Sequence, residues 1–324
     1  MKVAIVGYGS IGKRHFNNIL KKYNDDIIIC TKRTDIPKNI KHCRTINECL
    51  KENPDFAIIT NETDKHLKTA IKFAQIGCHI FIEKPLSHSL QGVRKLEKIV
   101  AEKKIVTQIG CNLRFHPCLI KIKRLLSDKK IGDVISFQAE HGSYLPDWHP
   151  NENYRKGYAA IKEKGGDIVF TSIHEIDYLY WFFGPASMSM ANMGKVSDLK
   201  TTSDDHASIF LKFKNNIIGE IHLDYYQRPK TRTCKIIGTK GTIFWNNEEN
   251  IVKVYQSKTK KLKTILKVDN FDTNNMYINE LIHFKKCIKE NKKTINDVKQ
   301  GIDTLKISLS AKKSSRTKKM VKVN

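Results

Sequence analysis

"VGYGSIGKRH", Val6 to His15, follows the apolar run Val3-Ala4-Ile5-Val6 and places Gly7, Gly9 and Gly12 at the spacing G-x-G-x-x-G. A glycine-rich turn alone is common, so the surroundings decide its meaning. A strand before it and a helix after it would give each glycine a task. Gly7 permits a tight turn, Gly9 lets backbone approach a pyrophosphate, and Gly12 lets the helix pack closely on the strand. The amides around Ser10 and Ile11, at the helix N-terminus, would face the anion.

The context is of that kind. Apolar runs at 2–6, 26–30, 56–60, 79–82 and 105–110 alternate with helical patterns at 11–23, 64–76 and 89–103. Strands alternating with helices predict βαβ units and a doubly wound parallel sheet over residues 1–117, and continuous apolar strands predict burial on both faces. From 118 to 324 the pattern changes. Strand-like runs at 134–141, 207–213, 218–225, 233–238, 242–245 and 251–255 are joined in places by hairpin-type turns such as Gly238-Thr239-Lys240-Gly241. Helical stretches at 167–183, ended by Gly184-Pro185, and at 275–290 complete an α+β domain on a largely antiparallel open sheet.

At the end of the second strand an NAD site puts an acid for the ribose 2′-hydroxyl. Here the strand runs into Thr31-Lys32-Arg33, a hydroxyl and two cations. That suits a 2′-phosphate, so NADP(H) is expected to be preferred, with NAD(H) possible.

Composition bounds the rest. The chain has 324 residues, 40% hydrophobic and 28% charged, which is ordinary for a globular protein of two domains. No apolar run reaches membrane-spanning length, and no signal peptide is visible, so a cytoplasmic location without membrane attachment is expected. The eight cysteines are scattered without a C-x-x-C pair and read as reduced core thiols, with no metal site. The net charge of +25 is spread along the chain with no nucleic-acid-binding signature, so no nucleic-acid partner is expected. The basic, serine-bearing stretch 312–322 reads as a frayed or solvated tail.

Three further stretches carry chemistry: "ITNETDKH" at 59–66, "IFIEKP" at 80–85 and "GGDIVFTSIHEID" at 165–177. In this order, with the glycine turn, the chain resembles the Gfo/Idh/MocA family, the glucose–fructose oxidoreductase and inositol dehydrogenase relatives, over nearly its full length. The resemblance implies an N-terminal Rossmann domain, a C-terminal sheet domain used for homodimer or homotetramer assembly, and hydride transfer on a small-molecule sugar or cyclitol. It places Thr60, Asn61, His66, Glu83 and Lys84 at the cofactor and makes Lys84 and His174 the catalytic pair. The chemistry suits them. A histidine exchanges protons near neutral pH, and a lysine past a strand end stabilises charge developing on the reacting oxygen. Thr171 and Asp177 lie beside His174 in the same motif and are taken with the substrate.

One position departs from the pattern. Many relatives carry an acid four residues before the histidine, and here it is Phe170, which puts simple inositol-type substrates in doubt. "NLRFHP" (112–117) and "SYLPDWHPNENYRKGY" (143–158) resemble members associated with bacterial surface-polysaccharide synthesis. Arg114, His116, Trp148 and Tyr158, with Arg155 and Lys156, are the expected contacts to an acidic or nucleotide-activated sugar. The rival readings are a non-catalytic dinucleotide- or sugar-binding regulator and, as a minor branch, redox-neutral glycoside cleavage with tightly held NAD.

Overall fold

Uninterrupted runs such as Ala4-Ile5-Val6, Ile27-Ile28-Ile29 and Ala57-Ile58-Ile59 form the first sheet, because strands covered on both faces have no polar side to alternate with. In the computed structural model, which describes residues 1–148 and 150–324, one unit comprises Met1–Asn112 with Asn274–Leu305 and the other Leu113–Thr273 with Lys306–Asn324. The first unit opens with β1 (Lys2–Val6), α1 (Ser10–Lys22), β2 (Asp26–Cys30), β3 (Lys41–Cys43), α2 (Ile46–Lys51), β4 (Phe56–Ile59), α3 (Thr63–Gln75), β5 (His79–Glu83), α4 (Val93–Glu102) and β6 (Thr107–Gly110). All six strands run parallel, in the order β3-β2-β1-β4-β5-β6. The order reverses between β1 and β4, so the turn after β1 sits at the topological switch point where such sheets bind ligands.

The second unit holds α5 (Pro117–Ser127), β7 (Val134–Gly142), α6 (Ile168–Thr171), α7 (His174–Phe183), β8 (Ala186–Gly194), β9 (His206–Phe213), β10 (Ile218–Asp224), β11 (Thr231–Gly238), β12 (Gly241–Asn246), β13 (Ile251–Gln256) and β14 (Lys261–Lys267). The chain then forms α8 (Asn274–Glu290), α9 (Val298–Thr317) and β15 (Val321–Lys322). The nine-stranded sheet has the order β14-β13-β12-β11-β7-β10-β9-β8-β15 and is antiparallel throughout except where β10 pairs with β7.

Residues 274–305 belong structurally to the first unit. Phe284 of α8 meets the rings of Phe56 and Phe81 edge-on, each at 5.7 Å, within that unit's core. Residues 294–298 close the edge strand β6: Ile109 N–H donates to Asn296 O (2.8 Å), Val298 N–H to Thr107 Oγ1 (2.9 Å) and the Thr294 hydroxyl to Thr107 O (2.6 Å). An edge strand left bare would expose unpaired backbone groups.

The reading of 312–322 as a frayed tail is overturned. α9 carries Ser314 and Ser315 as buried residues, and their hydroxyls accept the N–H groups of Ala191 (3.0 Å) and Met193 (2.8 Å) on β8. β15 pairs with the same strand at Ser189 and Met188. Serines that look solvated in sequence thus complete a sheet edge. Two helix boundaries also differ. The helix expected from 89 begins only after Gly92, which is left-handed at φ +87°. The stretch 167–183 is two helices, Ile168–Thr171 and His174–Phe183, broken at Ser172 and Ile173. All eight cysteines are free and buried.

Candidate functional site

In the first unit the glycine turn is built by backbone crowding. Gly7 has φ +99°, and a Cβ there would lie 2.8 Å from the backbone of Thr60 and Asn61. A Cβ on Gly12 would lie 2.3 Å from the Gly7 carbonyl oxygen. The Thr60 hydroxyl donates to Val6 O (3.1 Å) and Gly7 O (2.9 Å), fixing the turn to β4. Gly9, the residue preceding α1, is the opposite case: nothing lies within 4 Å of its Cβ position. Ser10 is exposed and Ile11 half-buried at the first turn of α1. Crowding at Gly7 and Gly12 with open space at Gly9 suits a pyrophosphate lying against the helix N-terminus.

The turn after β2 holds more than the expected cations. Thr31 N–H donates to Cys43 O (3.0 Å), and Thr31 Oγ1 accepts Arg33 N–H (3.2 Å). Lys32 and Arg33 are exposed, but the Arg33 guanidinium makes two bonds to Asp35, at 2.7 and 2.8 Å, and Lys13 adds a third at 2.8 Å. Arg33 first and Lys13 second hold the Asp35 carboxyl far below the usual carboxylate range. The acid absent at the strand end is therefore present four residues after Thr31, inside the same run Thr31-Lys32-Arg33-Thr34-Asp35.

The remaining first-unit candidates surround Lys84, which is half-buried just past β5. Glu83 is buried, and its Oε1 lies 2.7 Å from Nε2 of the fully buried His15. Its Oε2 accepts the Lys84 N–H at 3.3 Å. His66 is also buried, with Nδ1 2.8 Å from Pro85 O and Nε2 2.8 Å from Asn61 O. Burial pulls its imidazole below the ordinary range, against the raising effect of the two carbonyls. His66, expected at the cofactor, thus has a backbone carbonyl against each ring nitrogen, and as a neutral imidazole it donates to one of them. The Asn61 amide donates to Thr69 Oγ1 (3.0 Å), and its Oδ1 is buried without a hydrogen-bond partner.

In the second unit His174 is the first residue of α7 and half-buried. Thr171 is buried at the end of α6. Phe170 is buried too, with Lys312 Nζ 4.9 Å from its ring centre, and Lys312 bonds the buried Asp167. Trp148 is half-buried, edge-on to Tyr225 at 5.5 Å, its Nε1 donating to Ser143 Oγ (2.9 Å). Tyr158 is 40% exposed, and Arg155 and Lys156 beside it are exposed.

Three expected substrate contacts are internal instead. Arg114 and Asp177, both about 1% exposed, form a bidentate pair with two 2.8 Å bonds. A buried arginine needs its carboxylate, so these two groups satisfy each other. His116 caps α5: its Nδ1 accepts Cys118 N–H (3.1 Å), leaving Nε2 to donate to Asn250 Oδ1 (3.2 Å), and its ring lies edge-on to Phe271 and Trp245. Burial lowers its pKa to about 4.

A hollow of about 930 Å³ lies over the sheet, lined by Gln138, Glu140, Met190, His222, Lys235 and Phe244 among others, and by none of the sequence-predicted site residues. Among the described residues there is no group of three or more potential metal-ligating side chains, and no helix long and apolar enough to cross a membrane.

Residues 1–111 match the family model of an oxidoreductase family with an NAD-binding Rossmann fold, and residues 119–244 match the GFO/IDH/MocA C-terminal domain. The chain is 25% identical to a scyllo-inositol 2-dehydrogenase (NAD⁺) of Bacillus subtilis, covering 98% of this chain and 94% of that one. It is also 25% identical to a myo-inositol 2-dehydrogenase of Thermotoga maritima, covering 100% and 98%. A levoglucosan dehydrogenase solved in complex with NADH superposes with a TM-score of 0.89 at 18% identity, over 100% of this chain and 99% of that one. With the glycine turn, the strand order and both family domains in agreement, the chain belongs to the Gfo/Idh/MocA family of NAD(P)-dependent oxidoreductases acting on CH–OH groups.

Proposed function

We propose that the protein transfers a hydride between a bound nicotinamide dinucleotide and a secondary alcohol carbon of a sugar or polyol. The observation that supports this most is the glycine turn, crowded at Gly7 and Gly12 and open at Gly9, followed along the chain by a half-buried lysine leaving β5. Gly7, Gly9, Ser10, Ile11 and Gly12 would hold the pyrophosphate through backbone amides, and Thr31, Lys32 and Arg33 would meet the ribose. When bound, the nicotinamide supplies or accepts the hydride. Lys84 hydrogen-bonds the reacting oxygen and stabilises negative charge on it as the proton leaves. His174 accepts that proton during oxidation and returns it during reduction.

The substrate we infer is anionic, an acidic or nucleotide-activated sugar. Arg155, Lys156, Lys162 and Lys164 are all exposed within a segment that also presents Tyr158, and Phe170 offers no carboxylate to a neutral polyol. NADP(H) is the preferred cofactor in this reading. The open sheet face, with Met190 and Phe244 exposed, is where a second copy would pack to form a homodimer or homotetramer. A monomer in sedimentation at micromolar concentration would rule that assembly out.

The test is nicotinamide absorbance with NAD⁺ and NADP⁺ against inositols, levoglucosan, uronic acids and nucleotide sugars. Single-turnover hydride transfer should fall about 10²–10⁴-fold in His174→Ala and comparably in Lys84→Ala. The two losses should combine less than additively, because both groups serve one proton transfer. Near-normal rates in both variants would leave a dinucleotide-binding regulator. Gly9→Val should abolish dinucleotide binding in a folded protein, since its side chain would fill the open space.

A further inference from the structure

Lys84 is flanked in sequence by two residues that are each tied to a buried histidine. Glu83 before it takes a 2.7 Å bond from His15 of α1, and the other oxygen of that carboxylate accepts the Lys84 N–H. Pro85 after it offers its carbonyl to His66 of α3 at 2.8 Å, and the other ring nitrogen of His66 faces Asn61 O at the same distance. Asn61 adjoins Thr60, whose hydroxyl bonds the carbonyls of Val6 and Gly7. From Gly7 the chain runs into α1, which carries His15. These contacts and the chain therefore close a circuit: glycine turn, Thr60–Asn61, His66, Pro85, Lys84, Glu83, His15 and back along α1.

Burying an imidazole costs free energy that its hydrogen bonds must offset, and a leucine would fill similar space without that cost. Both histidines lie within hydrogen-bond distance of the residues on either side of one lysine. A lysine side chain has four flexible carbons, so the placement of its ammonium depends on where its backbone is held. Misplacing a reacting group by about 1 Å can cost about 10²-fold in rate.

We propose that His15 and His66 are positioning residues that lock the backbone of Lys84 in register with the glycine turn, so that the lysine and the dinucleotide cradle are one rigid assembly. The proposal rests on the reading of Lys84 as the oxygen-orienting cation, but it makes a structural claim that can be checked without turnover.

The experiment is trace acetylation of the folded protein with acetic anhydride, each lysine being quantified by peptide mass spectrometry. The exposed Lys32 serves as internal reference. In His15→Leu and in His66→Leu the labelling of Lys84 relative to Lys32 should change by about threefold or more, because a lysine's reactivity follows its surroundings closely. His15→Gln and His66→Gln, which keep an N–H donor, should return it toward the wild-type value. Where a leucine variant does not fold, the asparagine variant at that position, with an amide too short to keep the contacts, should give the same change. Unaltered Lys84 labelling in folded variants, or an equal change at lysines throughout the first unit, would overturn the proposal. Normal hydride transfer in Lys84→Ala would instead remove the catalytic reading and leave the labelling result standing.

Discussion

Two arginine–aspartate forks in this chain have nearly the same geometry and opposite surroundings. Arg33 holds Asp35 with bonds of 2.7 and 2.8 Å, and Arg114 holds Asp177 with two of 2.8 Å. The first pair has side chains 53% and 47% exposed, the second 0% and 1%. In water an ion pair gains little, because solvent screens it and two long side chains lose freedom. In the interior each charge has lost its hydration and depends on the groups that replace it. Opening an exposed fork for a ligand's phosphate costs little, whereas opening the buried one would strand two charges in the interior. That is why Arg114 and Asp177, although they look like ligand-binding residues in sequence, serve the scaffold.

The sharpest way to break this contrast is to cut the buried fork. Arg114→Ala should destabilise the second unit by about 3–5 kcal/mol, since Asp177 keeps a buried charge without its bidentate arginine. At about 2–4 °C per kcal/mol this lowers the melting temperature by roughly 10 °C. Asp177→Asn should do nearly as much. Arg114→Met combined with Asp177→Leu should recover much of the loss, because an apolar pair carries no unpaired charge. Calorimetry decides the matter: an unchanged melting temperature in Arg114→Ala would mean that burial is not what distinguishes the two forks.

His116 sharpens the contrast through pH. Its folded pKa, about 4, lies below the ordinary value of 6.5 because burial disfavours the imidazolium; Asn250 pulls the other way and Arg232 adds a repulsion. The unfolded chain therefore binds the proton more readily. The contribution of neutral His116 is fully present above pH 6.5 and is lost as the pH falls toward 4. The difference corresponds to about 3 kcal/mol. Denaturant titrations at pH 7 and pH 4.5 should differ less in His116→Asn, which retains a cap for α5, than in the wild type. An equal loss in both would assign the acid sensitivity to other groups.

How far the sequence carried these assignments depended on whether the decisive contacts were local. The glycine turn was legible because backbone sterics act within a few residues, and the parallel sheet because burial on both faces leaves continuous apolar runs. The partners of Arg114 and His116, 63 and 134 residues away, leave no local mark. The same holds for the serines of α9, whose partners on β8 lie 123 and 122 residues back. One missed element did have a local signature: α2 opens on Thr45-Ile46-Asn47-Glu48, a capping box in which Thr45 Oγ1 accepts Glu48 N–H at 3.2 Å. Asp35 was also in view, two residues past Arg33, but an arginine and an aspartate so close in sequence do not reveal that they are paired.

The smallest effect is expected at the exposed fork, and it tests whether that fork can be exchanged. A 2′-phosphate approaching Lys32 and Arg33 must compete with Asp35 for the guanidinium and must tolerate its negative charge. Asp35→Asn removes both obstacles and should raise affinity for NADPH by about two- to fivefold, the scale of an exposed ion pair. NADH affinity should stay the same or fall slightly, because NADH brings no 2′-phosphate to gain from the released arginine. Lys32→Ala with Arg33→Ala should act in the opposite sense and weaken NADPH more than NADH, since each charge-assisted contact to phosphate is worth about 1.5–3 kcal/mol. Fluorescence titration of each variant with NADPH and NADH in low and high salt gives the ratio directly. The NADPH gain in Asp35→Asn should shrink as salt screens the exposed charges. If Asp35→Asn weakens NADPH, Asp35 is holding Arg33 in the binding orientation, and the exposed fork is then as necessary in its own place as the buried one.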